Sequence, residues 1–523
     1  MNRAEKRRER KLSEKAARNK KPEQSSSGQP PPHIQQAMDQ ALRLHAAGRL
    51  SEAEGLYKQI LQSQPNQPIA LQLLGLVAHQ TGNNDLAVKY ISKALVIAPD
   101  YVDAHSNLGA VFQSLGRLDE AAASYGRALD LKPDYAEVHY NLGNVLRPLG
   151  RLVEAVTAFE KALELRPDYG EAMNNLGSLL RYLGRYEEAQ AVFEGHLRLR
   201  HGGPWWNAES FDAAEGVSAA PAGEPLRASI FKLGDCIDQL QYLIDKGRID
   251  PSFEAMTERY QSVLIELYEN PTPETAVLLT PGQAQRIGAF YDRVVHYSEA
   301  PRLAGRAINQ GLDFPAIEDE YLSSAVSVTA FDDFLTPEAL RSLREFCLES
   351  TIFFNFTGDR YVSSSNKLGF NCDLLYQMAE ELKVSLPRVL GGHALRNMWV
   401  YRYNNHSEGV AEHTDDGAVT FNFWITPDDA NLSADAGGLM VYVKEQPMDL
   451  DWERYNNQKY SPEIQREVAE FLSDAKTVTI PYGDNRAVLF HSNLYHKSHP
   501  VKFKDGFANR RMNVTMLFGQ RGG

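Results

Sequence analysis

The chain has 523 residues, 43% of them hydrophobic and 24% charged, a balance that belongs to a folded protein of two or three domains. No apolar run approaches the ~20 residues that a membrane helix needs, so a membrane span is excluded. The formal charge is −13, and residues 1–21 carry ten Lys/Arg against three Asp/Glu, so the remainder is more acidic still and nucleic acid is not expected as the main ligand.

The first 32 residues read as a basic, solvated tail. They lack the apolar stretch of a secretory signal, which predicts a cytoplasmic protein. Cys236, Cys347 and Cys372 stand far apart without C-x-x-C spacing, which predicts reduced thiols rather than a disulfide framework.

From residue 33 to 204 the sequence repeats itself. Gly48, Gly82, Gly116, Gly150 and Gly184 recur every 34 residues, and Ala53, Ala87, Ala121, Ala155 and Ala189 follow in phase. Pro65, Pro99, Pro133 and Pro167 close four of the units, while Asn107-Leu108-Gly109, Asn141-Leu142-Gly143 and Asn175-Leu176-Gly177 open three of them. Small residues at fixed points let two antiparallel helices approach, and proline ends the second and resets the chain. A single pair cannot bury its apolar face, whereas stacked pairs can. The period and phase resemble the tetratricopeptide-repeat family. That resemblance implies an α-α superhelix whose groove holds a protein or peptide partner. The fifth unit has His196 where the fourth has Ala162 and ends in HGGPWW, as expected of a terminal unit, with Trp205 and Trp206 as a packing cap.

Residues 205–226, rich in Ala, Gly, Ser and Pro, read as a linker. Between 227 and 318 helical periodicity returns, as in Ile237, Leu240, Leu243 and Ile244, or Tyr260, Val263, Leu264 and Leu267, and predicts a middle helical domain.

From about 319 the pattern changes again. AVSVTAFDDFL reads as a strand and turn, and Thr336-Pro337-Glu338 as a helix start. The segments LRNMWVYRY, AVTFNFWIT, GGLMVYV, TVTIP, RAVLF and RMNVTMLFG read as strands, and short strands behind helices suggest a jelly roll. In a strand His413 and Asp415 leave on one face and can meet one ion, while a distant strand supplies a third ligand. Two His and one carboxylate leave coordination sites open for a chelating oxoacid and dioxygen.

The order of these features, from Tyr403 through His413-Thr414-Asp415 and FHSNLYHKSHPV to RRMNVTMLFG, resembles the iron(II)- and 2-oxoglutarate-dependent oxygenases of the prolyl-hydroxylase-like type. The resemblance spans roughly residues 325–519. It implies a double-stranded β-helix with flanking helices over 319–523, iron(II) on His413, Asp415 and His496, and 2-oxoglutarate and O2 as cosubstrates. Arg511 matches the basic residue that pairs with the distal carboxylate of 2-oxoglutarate, with Asn513 on the same face. Arg510 and Lys502 stand as substitutes for Arg511, because the KFKDGFAN insert lengthens the interval after His496. Tyr403 either hydrogen-bonds the cosubstrate or is a barrel tyrosine satisfied by backbone. His491 and His499 are substrate-side or structural, His406 and Asp416 loop residues, and Phe423 and Trp424 core. The expected whole is a multidomain α+β hydroxylase whose repeats recruit a polypeptide substrate. The alternative is a repeat scaffold with an inactive oxygenase-like domain. A glycosyltransferase is disfavoured, since strands and helices do not alternate and no phosphate-binding glycine loop occurs.

Overall fold

A computed structural model describes residues 32–203, 225–269, 276–288, 291–324, 326–447, 454–455 and 458–521. The basic tail, Trp205, Trp206 and most of the expected linker lie outside the described residues. The chain divides into two compact units, Met1–Ala172 and Met173–Gly523.

The first unit is built from antiparallel helix pairs, among them Pro68–Gln80 with Asn84–Ile97, Val102–Ser114 with Leu118–Leu131, and Ala136–Leu146 with Leu152–Leu165. Successive pairs stack on each other as a helical superhelix. The turn inside each pair needs a left-handed residue. At Gly82 φ is +84°, and the bond from Asn83 N–H to the Ala78 carbonyl, 2.8 Å, closes the helix end. The alanines that follow in phase, from Ala53 to Ala189, are fully buried. The opening glycines permit the closest approach. A Cβ on Gly109 would lie 2.7 Å from the Tyr125 ring, and one on Gly143 would lie 2.6 Å from Phe159.

In the second unit a two-stranded ladder of β1 (Arg227–Ala228) and β2 (Val277–Leu278) accompanies helices Ile230–Asp245, Glu254–Glu269 and Pro281–Ile287. Leu240, Leu243, Tyr260, Val263 and Leu267 form the buried core of these helices, with Ile237, Ile244 and Leu264 partly buried against it. Beyond them the chain is rich in antiparallel sheet. The strands are β3 (Val328–Phe331), β4 (Asn355–Thr357), β5 (Tyr361–Ser365), β6 (Leu395–Tyr403), β7 (His406–Ser407), β8 (Val419–Trp424), β9 (Leu439–Glu445), β10 (Thr477–Ile480), β11 (Ala487–His491), β12 (Leu494–Ser498), β13 (Val501–Lys502) and β14 (Met512–Phe518). Seven of them form one sheet in the order β3-β11-β8-β14-β6-β5-β4, and three form a second, β10-β9-β12. Helix Pro337–Glu349 starts as expected, with the Thr336 hydroxyl accepting from Ala339 N–H. The strand segments β4 and β5 and the helix Asp373–Ser385 were not anticipated from the sequence.

Alternation along the large sheet divides its two faces. Met398, Val400, Phe421, Phe423, Met512, Val514 and Met516 pack into the core that holds the helices Pro337–Glu349 and Asp373–Ser385. The intervening Trp399, Tyr401, Tyr403, Asn422, Asn513 and Thr515 line a cavity on the other face, which His496 of β12 in the small sheet also lines. Helix Ile230–Asp245 is tied to the core face by a buried ion network. Asp235 accepts from Arg402 Nε at 2.9 Å and also from Arg510, and Asp238 accepts from Arg510 at 2.6 Å. Cys347 and Cys372 are buried and Cys236 partly buried, all as free thiols.

Candidate metal centre

The segment carrying His413, Thr414 and Asp415 is extended but is not a strand, a correction to the sequence-based expectation. It is pinned one residue at a time. His413 and His496 exchange backbone hydrogen bonds of 3.0 and 2.9 Å, and Asp415 N–H donates to the Ser492 carbonyl at 2.9 Å. Local alternation survives, because the Thr414 hydroxyl turns the other way to donate to Gln446 at 2.7 Å. His496 lies beyond the strand RAVLF. It sits within β12, which the chain enters by leaving the large sheet at Ser492-Asn493 and joining the small one.

The ligand atoms of His413, Asp415 and His496 all lie within 4.8 Å of one another. His413 Nδ1 lies 2.8 Å from the Ala411 carbonyl, and His496 Nδ1 lies 3.1 Å from the Leu494 carbonyl. A carbonyl can only accept, so each Nδ1 carries the proton and each Nε2 presents a lone pair. Asp415 Oδ2 is 3.6 Å from His496 Nε2 and accepts from Thr420 at 2.8 Å. Burial holds the His413 imidazole far below its usual pKa and lowers that of His496, although Asp415 opposes the second shift. Both rings are thus kept in the neutral form that a cation requires.

The cavity beside this cluster is small, with about 20 Å³ of room for the centre of a water-sized molecule. Asn513 lines it, and the Arg511 guanidinium lies just behind. Arg511 is 1% exposed, donates to the Gly437 carbonyl at 2.6 Å and to Asn513 Oδ1 at 3.0 Å, and lies 4.4 Å over the Tyr403 ring. No carboxylate pairs with it among the described residues, in contrast to Arg510 one position earlier, which is taken by Asp235 and Asp238 on the opposite face. Lys502 is exposed on β13. The Tyr403 hydroxyl meets Ser498 Oγ at 3.3 Å, a side chain rather than backbone. Asn513 also donates to Asn422, 3.1 Å away, which locks its amide.

The remaining residues fall outside the cluster. His491 faces Glu445 at 3.8 Å, His499 approaches the Asp435 carbonyl at 3.2 Å, His406 faces Asp505 at 3.4 Å, and Asp416 pairs with Arg396. Phe423 and Trp424 are fully buried. Sequence reasoning missed Lys459, whose charge helps lower the pKa of both cluster imidazoles. It also missed the aromatic group of Trp399, Tyr401, Tyr361 and Tyr460, in which Tyr460 OH donates to Tyr361 OH at 3.4 Å. Period-two alternation along LRNMWVYRY was the signal that would have found the first two.

Residues 38–102, 112–147 and 134–200 match family models described as tetratricopeptide repeats. The chain carries tetratricopeptide repeats. Repeats of this kind generally mediate protein–protein interaction, and that part of the chain is an interaction module. Among solved structures, a crystal structure of MamA is 26% identical over 31% of this chain and 95% of its own, with a TM-score of 0.30. MamA 41-end from Desulfovibrio magneticus RS-1 is 21% identical over 32% of this chain and 96% of its own, with a TM-score of 0.31. No curated protein matches the chain. Among the described residues no helix is long and apolar enough to cross a membrane.

Proposed function

We propose that the second unit is an iron(II)- and 2-oxoglutarate-dependent oxygenase that hydroxylates a polypeptide recruited by the repeats. The observation that carries this is a His-Asp-His cluster on a cavity that Asn513 also lines, with the buried Arg511 guanidinium, which has no carboxylate partner among the described residues, hydrogen-bonded to Asn513. Two neutral imidazoles and one carboxylate are the donor set suited to non-haem iron(II), and they leave coordination positions for other ligands. A buried cation without a counter-charge is costly unless an anionic ligand completes it, and a guanidinium fits a carboxylate bidentately. Two antiparallel sheets with the site between them are consistent with the jelly-roll expectation.

His413, Asp415 and His496 would hold the metal. When bound, iron supplies the chemistry that converts 2-oxoglutarate and O2 to succinate and CO2 and places the second oxygen atom on a substrate carbon as hydroxyl. The chain's own contribution is positional. Arg511, supported by Gly437 and Asn513, would fix the distal carboxylate, Thr420 orients the Asp415 carboxylate, and Tyr401, Tyr403 and Trp399 keep the cavity walls dry. Full-length protein should bind one equivalent of iron(II) and release succinate from 2-oxoglutarate. His413→Ala and Asp415→Ala should lose both properties. Succinate release that survives in both variants refutes the proposal.

A further inference from the structure

Asn422 is a polar residue of the cavity wall to which the proposed chemistry gives no task. It stands on β8, only 7% exposed, and alternation puts it on one face with Thr420 and Trp424. A directed chain of hydrogen bonds fixes how its amide lies. A guanidinium has only donors, so the 3.0 Å bond from Arg511 turns Asn513 Oδ1 toward Arg511 and leaves Asn513 Nδ2 to donate onward. That nitrogen donates to Asn422 Oδ1 at 3.1 Å, and the Thr515 hydroxyl donates to the same oxygen at 2.8 Å. Turning the Asn422 amide over would set its nitrogen against Asn513 Nδ2, donor against donor. Asn422 Nδ2 is thus left over, without a hydrogen-bond partner among the described residues. Trp424 Nε1, two residues on, is also unpartnered but sealed in the interior, whereas Asn422 lines the cavity.

A desolvated N–H donor is unfavourable until an acceptor joins it. Each hydrogen bond polarises the next, so a donor at the end of a chain that begins on a guanidinium suits an anionic oxygen better than a neutral one. Position along the sheet says which oxygen. Two residues before Asn422, the Thr420 hydroxyl holds Asp415 Oδ2 at 2.8 Å, so Asn422 stands one same-face step, roughly 6–7 Å, from the anchor of the cluster carboxylate. Asn422 pairs with Thr515 of β14 and Trp424 with Asn513, so the Arg511 end of the sheet lies further on. We infer that Asn422 is a ligand-binding residue whose Nδ2 donates to the carboxylate beside the keto group of 2-oxoglutarate, while Arg511 serves the far carboxylate. The identity of this ligand rests on the oxygenase proposal, whereas the direction of the donor follows from the hydrogen bonds alone.

The test uses full-length protein loaded with cobalt(II) and measures binding by calorimetry, so no turnover is needed. Two probes are titrated: N-oxalylglycine, which carries both carboxylates, and 2-oxobutyrate, which carries only the one beside the keto group. Asn422→Leu should take up cobalt(II) as the parent does, because Asn422 is not one of the three cluster residues. It should lose at least about tenfold in affinity for both acids, as expected when a hydrogen bond to a charged group is removed. Asn422→Asp keeps an oxygen that accepts from Asn513 and Thr515, so a merely structural role would leave binding intact. Lacking the donor, it should lose at least as much as Asn422→Leu. If Asn422→Leu does not take up cobalt(II), the smaller and equally neutral Asn422→Ala takes its place. Unchanged affinity in the neutral variant overturns the inference, even where Asn422→Asp is weakened, since charge repulsion alone would then explain the second result. A loss for N-oxalylglycine with 2-oxobutyrate unaffected overturns it too, because the donor would serve the far carboxylate. A parent protein that takes up cobalt(II) and binds neither acid would refute the oxygenase proposal, and this inference with it.

Discussion

In the repeats, the side chain that fills the space above an opening glycine comes from the next helix of the same pair: Ile91 over Gly75, Tyr125 over Gly109, Phe159 over Gly143. In the second unit, the groups that meet are far apart in sequence, as when Arg510 reaches back to Asp235 or His413 bridges to His496. Near-neighbour packing leaves a periodic trace that any single repeat displays. Long-range packing leaves none, and there a one-residue difference in strand position decides whether a side chain stabilises the fold or faces a ligand. Arg510 and Arg511 are the sharpest instance, since adjacent arginines, both buried, have opposite surroundings.

That pair gives the largest expected effect. Arg510→Met should remove the partner of Asp238 and one of the two arginines on Asp235. Breaking a buried ion network of this kind costs ~3–5 kcal/mol. Chemical denaturation would show it, with the 2-oxoglutarate requirement unaltered. Arg511→Met should do the reverse. The apo protein should be as stable as the parent or more so, because a buried charge without a carboxylate partner is gone, while the KM for 2-oxoglutarate rises by roughly two orders of magnitude. If the two variants exchange these behaviours, the assignment of these adjacent side chains to opposite sides of the backbone leading into β14 is wrong.

A smaller effect comes from His201. Its ring stacks on Phe354 with centroids 3.8 Å apart, Nδ1 lies 2.7 Å from the Asp292 carbonyl, and burial lowers its pKa to about 4. Because the folded value lies below the unfolded one, the unfolded chain takes up the proton first as pH falls. Stability present above pH ~6.5 should therefore be lost between that value and pH ~4, by about 2–3 kcal/mol from this group. His201→Phe should flatten that part of the stability–pH curve relative to the parent. An unchanged slope would mean that the ring is accessible to protons in the folded state.

The smallest effects separate the two kinds of glycine in the first unit. Gly109→Ala would gain ~1 kcal/mol of helix propensity, but its Cβ meets the Tyr125 ring at 2.7 Å, and overpacking costs ~1–3 kcal/mol. A net loss of about 1 kcal/mol is expected. Gly126→Ala, with nothing within 4 Å, keeps the propensity term alone and should stabilise by ~0.5–1 kcal/mol. Thermal unfolding of both variants checks the pair, and a stabilising Gly109→Ala would show that the Tyr125 ring can move aside.

The repeats were legible in the sequence, because the period of 34, the left-handed glycines and the fully buried alanines are requirements of each helix pair separately. Most strands were legible too, since LRNMWVYRY and RMNVTMLFG carry their alternation within nine residues. The gathering of His413, Asp415 and His496 was legible only through a resemblance, as nothing local links positions so far apart. The remainder came from tertiary packing. It held the His413 segment outside the regular strands by bonds to His496 and Ser492, and gave the adjacent Arg510 and Arg511 different surroundings. Both depend on which backbone lies across the sheet or over its end, and that is fixed by register and topology rather than by the residues alongside.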